Sequence, residues 1–320
     1  MNAMSAPNAM KAVRIHGYGN AAVLHFEDAP LPDCLAEDVL IRVLGSSVNP
    51  VDWKLREGHL RSMLTPVLPF TLGWDVSGVV HAVGANTTRF KVGDAVYSRP
   101  DIARNGCYAE FVAVREVEAA FKPATASHMQ AAVLPLAGIT AWQAIVTVGQ
   151  VKPGQRVLIH AGAGGVGSLA VQIAKAHGAF VVATASGRHR SLVESLGADE
   201  FIDYQTQRLQ GATAEIDLVL DTQGDGTQEA SWAVMAPGAL LVSIASDPAV
   251  GAARRRGLRG QFLFIQPDAA ALEKIAQLLD SGKLRTVIGA EFALKDIAAA
   301  HNLSQTGHAT GKIALYVGKP

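Results

Sequence analysis

Through the first third of the chain, apolar residues alternate with polar ones or run together briefly, and each run stops at Gly, Pro or Asn. KAVRIHGYG, DVLIRVLGSSVNP, the two runs within VSGVVHAVGANTTRFKVGDAVYS, and GCYAEFVAVREVEAAFKP read as short strands. The link GANTTRFKVGD is rich in turn formers. Short strands at this spacing predict a small β-barrel or compact β-rich domain. The period changes near Ala131. RVLIHA predicts a strand, VGSLAVQIAKAHG a helix, FVVATA a strand, RHRSLVESLGA a helix and EFIDY a strand. IDLVLDTQ and GALLVSIAS then predict strands around a helix in TQEASWAVMAPG. Strands alternating with helices imply a parallel sheet covered by helices. In PDAAALEKIAQLLDSGKL, Leu272, Ile275, Ala276 and Leu279 share a helical face, and Gly282 stops it. From Arg285 the pattern is mixed, ending in the strand KIALYV, which is expected to rejoin the first domain.

These elements define an α/β chain with a β-rich domain over residues 10–128, completed by 284–320, and a doubly wound parallel-sheet domain over 129–283. Residues 1–9 read as a loose tail; MNAMSAPNAMKAVRI lacks the basic-then-apolar order of a signal peptide. The uncharged run PATASHMQAAVLPLAGITAWQAIVTVGQV is long enough for a membrane span. Pro135, Gly138, Gln143 and Gly149 interrupt it and no basic cluster flanks it, so a buried helix between domains is expected. Composition agrees with a globular reading: 320 residues, 49% hydrophobic and 18% charged, enough for two cored domains. With 28 Lys and Arg against 28 Asp and Glu, nothing global favours a nucleic acid or a membrane surface. Cys34 and Cys107 are too few for a disulfide framework and suit a reducing cytoplasm.

The chemistry concentrates in HAGAGGVGSLAVQIAKAHGAFVVATASGRHR. Gly162, Gly164 and Gly167 form G-x-G-x-x-G, with Ala163, Gly165 and Val166 between them. A bare match is weak, but this one follows a predicted strand, opens a helix with Val166, Leu169, Ala170, Ile173 and Ala174 on one face, and leads to a second strand. A side chain at Gly162 or Gly164 is expected to hold a pyrophosphate off the backbone, and Gly167 to let the helix sit close on the strand. The helix N-terminus then offers unpaired N–H groups to the phosphates. At the end of the second strand, where NAD-binding units carry Asp or Glu, stands Ser186, followed by Gly187, Arg188, His189 and Arg190. A hydroxyl beside guanidinium groups accepts a 2′-phosphate that a carboxylate repels, so NADP(H) is expected over NAD(H).

Taken together, SSVNPVDWKLREG, PFTLGWDVSGVVHAVG, FKVGDAVYS, GCYAEFVAV, LAGITAWQAI, the glycine segment, LGAD and GHATGKIALYV resemble the medium-chain dehydrogenase/reductase superfamily. The resemblance is to its zinc-independent NADPH:quinone oxidoreductase branch, zeta-crystallin-like, and covers nearly the whole chain after the tail. RGLRGQFLFIQPD looks like members that reduce alkenals and enones. The resemblance implies a GroES-like first domain and a Rossmann second domain. Zinc alcohol dehydrogenases of the superfamily carry a Cys ligand where this chain has NPVD and Gly-His-Glu where it has Gly73-Trp74-Asp75. They often carry four clustered cysteines, whereas Cys34 and Cys107 are not spaced as a zinc pair, and His59 and His81 are isolated. No metal is expected. Without a Lewis acid the accessible reaction is hydride transfer to an electrophilic quinone or enone, whose charge spreads onto a conjugated oxygen.

By the same resemblance Asn49, Asp52 and Lys54 lie toward the nicotinamide end of a cleft. Asn49 is expected either to donate its amide to cofactor or oxyanion or to stabilise the turn before Pro50. Lys54 either reaches a phosphate or the acceptor or is solvated. Thr140 either faces the nicotinamide or bonds its own helical turn. Tyr204 is expected against the adenosine 2′-phosphate. Thr222 to Asp225, with Gly224, and Ile244, Ala245 and Ser246 follow strands and are expected to border the cofactor. Phe264, within Phe262 to Ile265, would help wall the acceptor pocket. ARRRGLRG reads as a solvated basic loop. No general acid is evident, leaving water as the proton source. Relatives often pair through an edge strand, so a homodimer through GALLVSIAS is expected. A non-catalytic NADPH-binding sensor on the same fold remains the alternative, separated by turnover.

Overall fold

The alternation after the tail becomes strand β1 (Ala9–Ile15), with Ala12, Val13 and Ile15 fully buried. It pairs antiparallel with β2 (Leu24–Pro30). β3 (Asp38–Val48) leads into helix α1 (Pro50–Arg56), where Pro50 takes the first position, whose N–H has no helical partner to lose. β4 (Phe70–Thr71), β5 (Val76–Val83), β6 (Ala95–Ser98), β7 (Phe111–Arg115) and β8 (Ala119–Phe121) follow. The computed structural model describes residues 9–224, 226–248 and 250–317; most of the expected tail, Asp225 and residues 318–320 lie outside the described residues.

The uncharged run is not one helix. It forms α2 (His128–Ala132), α3 (Pro135–Trp142) and a π-helical turn over Gln143–Val148. Pro135 lacks the N–H a continuous helix needs, so the chain restarts there. Among the described residues no helix is long and apolar enough to cross a membrane.

The alternating half follows as β9 (Arg156–Ile159), α4 (Gly165–Ala176), β10 (Phe180–Ala185), α5 (Arg190–Ser195), β11 (Glu200–Asp203), β12 (Ile216–Asp221), α6 (Gly226–Trp232), β13 (Met235–Ser243), α7 (Val250–Arg255) and β14 (Arg259–Phe262). The strands form one parallel sheet in the order β11-β10-β9-β12-β13-β14. The order reverses at β9 and β12, so their carboxyl ends mark the switch point where ligands of such sheets bind. Two expectations are corrected. The helix in TQEASWAVMAPG ends at Trp232, and Met235 already opens β13. Pro237 cannot continue a helix, and Gly238 has a φ of 76°. GALLVSIAS is not an edge: β13 lies between β12 and β14, and RGQF forms the edge strand.

The chain returns through α8 (Ala269–Asp280), which buries Ala271, Leu272 and Ile275, then β15 (Ile288–Ala293), α9 (Ile297–Gln305) and β16 (Lys312–Tyr316). β16 pairs antiparallel with β3, giving a seven-stranded sheet β15-β16-β3-β5-β6-β8 with β7 also on β3. β2, β1 and β4 form a separate three-stranded sheet. Contacts divide the chain into two units. One runs to Leu136 and includes Pro267–Gln277 and everything from Ile288; the other comprises Ala137–Gln266 and Leu278–Val287.

Candidate active site

In the parallel-sheet unit, β9 ends at a tight turn. The Gly164 amide donates to Ala161 O at 2.8 Å, and Ser168 N donates to Gly164 O at 2.9 Å as the first helical bond of α4. The amides of Gly165, Val166 and Gly167 therefore have no acceptor within the helix and sit at its positive end. A Cβ at Gly167 would stand 2.1 Å from Ala161 O, so only glycine lets α4 approach the strand this closely. Gly162 differs from expectation: its Cβ would meet Ala183 Cβ at 3.0 Å and Val193 at 3.4 Å, so its want of a side chain serves packing on β10 and α5. Gly164 faces only Ala161, at 3.2 Å, and leaves the amides uncovered. This cradle fits a diphosphate.

Beyond β10, Ser186 is buried and opens a 3-10 turn over Gly187–His189. The Tyr204 amide donates to Ala185 O at 3.3 Å, bringing the end of β11 beside Ser186; the Tyr204 ring is 57% exposed. The two arginines differ. Arg190 donates to Glu194 at 3.2 Å and stacks over Phe201 at 4.4 Å. Arg188 is exposed and, among the described residues, donates only to its neighbour His189, at 3.0 Å. A carboxylate does stand near, on β11: Asp203 Oδ2 lies 2.6 Å from where a Cβ on Gly187 would be. The loops after β12 and β13 meet, since a Cβ at Gly224 would lie 2.8 Å from Ser246 Oγ and 3.4 Å from Ala245. Ile244 donates its amide to Asp221 O at 3.0 Å, which fixes the same junction. Thr140 is buried in α3, and Phe264, just past β14, is 37% exposed.

In the other unit, residues from distant segments build a buried polar cluster. Asp75, just before β5, accepts from Ser47 Oγ at 2.5 Å, Asn49 Nδ2 at 2.7 Å and, on Oδ1, Leu136 N at 2.6 Å. Lys312, opening β16, donates to Asp75 Oδ2 at 3.2 Å, to Val48 O at 3.3 Å and to Asn49 Oδ1. Asn49 caps α1, and its amide donates to Asp52 Oδ2 at 2.7 Å. Tyr108 also donates to Asp52, at 2.6 Å. Gly73 permits this: its φ is 92°, and a Cβ there would lie 2.3 Å from the Tyr108 ring. Tyr108 OH lies 3.4 Å from His301 Nε2, and His301 Nδ1 lies 3.0 Å from Arg56, which is fully buried. Burial raises Asp52 to about 7, against the Tyr108 and Asn49 bonds. Burial and the Arg56 charge lower His301 to about 3, so it is neutral. Lys54, half-buried on α1, extends along Trp53 with Nζ 5.8 Å from the ring.

The resemblance puts Asn49 and Asp52 toward the nicotinamide end of a cleft; the structure joins them in this cluster with Ser47, Tyr108, His301 and Lys312, which the sequence did not single out. Asp75 and Lys312 lie inside segments that carry the resemblance. Among the described residues no three His, Cys, Asp or Glu side chains are grouped to hold a metal. Cys107 is fully buried and its thiol pushed far up by burial, while Cys34 donates to Asp38 O at 3.4 Å.

Two family models match the chain: the alcohol dehydrogenase GroES-like domain over residues 36–124 and the zinc-binding dehydrogenase over 196–315. The chain belongs to the medium-chain dehydrogenase/reductase superfamily. Within it, the chain is 36% identical to a 2-methylene-furan-3-one reductase of Solanum lycopersicum, over 98% of this chain and 80% of that protein. It is 35% identical to a chloroplastic NADPH-dependent alkenal/one oxidoreductase of Arabidopsis thaliana, over 98% and 81%. The quinone oxidoreductase of Coxiella burnetii superposes with a TM-score of 0.90 at 34% identity, covering 97% of this chain and 100% of that one.

Proposed function

We propose that the chain is an NADPH-dependent reductase of quinones or α,β-unsaturated carbonyls that works without a metal. The observation that carries this reading is the glycine turn at the sheet's switch point. It leaves three helix-start amides uncovered and is followed by Ser186 and an arginine free of any acid. The names of the relatives agree in reaction type.

Gly164, Gly165, Val166 and Gly167 hold the diphosphate through backbone amides. Ser186, Arg188 and Tyr204 hold the 2′-phosphate; Arg190, committed to Glu194 and Phe201, orders the segment behind them. Gly224, Ile244, Ala245, Ser246 and Phe264 border the cofactor. The bound nucleotide supplies a hydride to the electrophilic carbon of the acceptor. Asn49 and Asp52 act by fixing the start of α1 through the Asp75–Lys312 pair, and water supplies the proton. The chain works in a reducing cytoplasm as a homodimer paired through β14, the exposed edge of the sheet; its two unpaired cysteines support the compartment.

The test is NADPH oxidation with a panel of enones, alkenals and quinones, with and without chelator. Turnover that survives chelation is expected. Tight NADPH binding with no consumption by any acceptor would instead make the chain a nucleotide-binding sensor.

A further inference from the structure

Arg99 directly follows β6. The β5–β6 ladder ends where Val76 pairs with Ser98, the residue after Asp75 with the residue before Arg99. Arg99 is 3% exposed, yet makes no hydrogen bond or ion pair with any described residue. Its Nε is shut from solvent without a partner. A guanidinium has five N–H donors and stays charged. Burying them unmade costs more than an ordinary hydrogen bond gains.

The acids whose charge reaches Arg99 are Asp75, Asp101, Glu118 and Asp52. All are engaged elsewhere. Asp75 pairs with Lys312 at 3.2 Å; Asp101 and Glu118 pair with Arg115 at 3.1 and 2.8 Å; Asp52 accepts from Tyr108 and the Asn49 amide. Lys312, Arg115 and Arg99 set three positive charges against Asp75, Asp101 and Glu118, and Asp52, whose carboxyl burial raises to about 7, is a fourth acid in the cluster. What the cluster lacks is an acceptor, not an anion. A permanent carboxylate would leave it net negative, whereas a neutral oxygen that gains charge during reaction would not. Asn49, which the sequence leaves open as a donor to the oxyanion or a turn residue, is already committed to Asp75 and Lys312.

We propose that Arg99 receives the carbonyl oxygen of the acceptor and stabilises the negative charge that builds on it. This rests on the reductase reading above. When hydride adds to the β-carbon of an enone, the C=C pair shifts toward the carbonyl and the charge comes to rest on oxygen as an enolate. A proton from water then bonds to the α-carbon and the carbonyl reforms. The guanidinium donates hydrogen bonds to that oxygen and transfers no proton, which suits a group that stays charged.

The experiment compares wild type with Arg99→Met, Arg99→Lys and Arg99→Ala. For Arg99→Met we expect kcat/KM with enones to fall roughly 100- to 1000-fold. NADPH affinity should hold, and Tm should equal or exceed wild type, because a lone buried charge is gone. Arg99→Lys should keep part of the activity, and Arg99→Ala should regain part on addition of millimolar guanidinium, which Arg99→Met should not. Turnover of Arg99→Met within about 3-fold of wild type would overturn the proposal. So would a Tm and an NADPH affinity that fall together with kcat/KM, the mark of a structural arginine. If wild type consumes no NADPH with any acceptor, the reductase reading itself fails, a result seen before any variant is made.

Discussion

Lys312 Nζ lies 3.2 Å from Asp75 Oδ2, with the lysine side chain 6% exposed and the aspartate fully buried. The pair joins the last strand of the chain to the turn before β5, and through Asn49 it fixes the start of α1. Lys312→Met keeps the volume and removes the charge. Asp75 then retains three donors but no counter-charge. We expect a loss of about 3 kcal/mol in urea unfolding, since breaking a buried pair from one side strands the other charge. The double variant Lys312→Met with Asp75→Asn should recover most of it; equal losses in single and double variants would show that the pair is not the source.

Gly167→Ala tests the turn. Its Cβ would meet a backbone carbonyl at 2.1 Å, so α4 must move off β9. Tm should fall, and NADPH affinity should drop by about 10-fold or more as the helix-start amides shift. Gly164→Ala meets the same carbonyl at 3.2 Å and should cost little stability, with its effect confined to nucleotide binding. Thermal melts with fluorescence titration separate the two.

Arg188 and Arg190 are two residues apart and are expected to differ. Arg188→Ala should weaken NADPH binding by about 10-fold, the loss of one charge-assisted contact, and leave NADH binding unchanged. Arg190→Ala removes a guanidinium already held by Glu194 and Phe201. It should change the NADPH to NADH preference less. Competition between the two nucleotides measures both.

Most of the parallel-sheet unit was legible because strand and helix periods are strong there and the glycine spacing has a mechanical meaning. RGQF was not: its residues are mostly exposed and show no alternation, since an edge strand with little burial needs none. The start of β13 was read as helix because Met235 and Ala236 continue an apolar pattern, and only Pro237 spoke against it. The polar cluster was legible in part. NPVD is a local signal, but the partners that satisfy it, Tyr108, His301 and Lys312, come from remote segments where each looks ordinary. Arg99 shows the same limit: its sequence context is a strand end before proline, and only burial without a partner marks it out.

Asp52 sets a pH dependence. Its folded-state value is raised to about 7 by burial, above its ordinary value of 3.8. Between about pH 4 and 7 the folded protein thus binds a proton that the unfolded chain has lost, and stability from this group falls as pH rises, by at most about 1.4 kcal/mol per unit. Neutral His301, lowered to about 3, acts oppositely between about 3 and 6.5. Asp52→Asn removes only the first effect and can still accept from Tyr108. The variant should gain stability relative to wild type as pH climbs from 4 to 7. Urea unfolding across that range checks the sign; a gap that stays constant or closes would place the proton elsewhere.

The most direct measurement is calorimetric titration of the protein with NADPH and with NADH under the same buffer and salt. The uncovered amides after β9, and Ser186 with Arg188 after β10, predict saturable NADPH binding at one site per chain, at least about 10-fold tighter than NADH. Equal affinity for the two would contradict the 2′-phosphate site, and binding of neither would contradict the account as a whole.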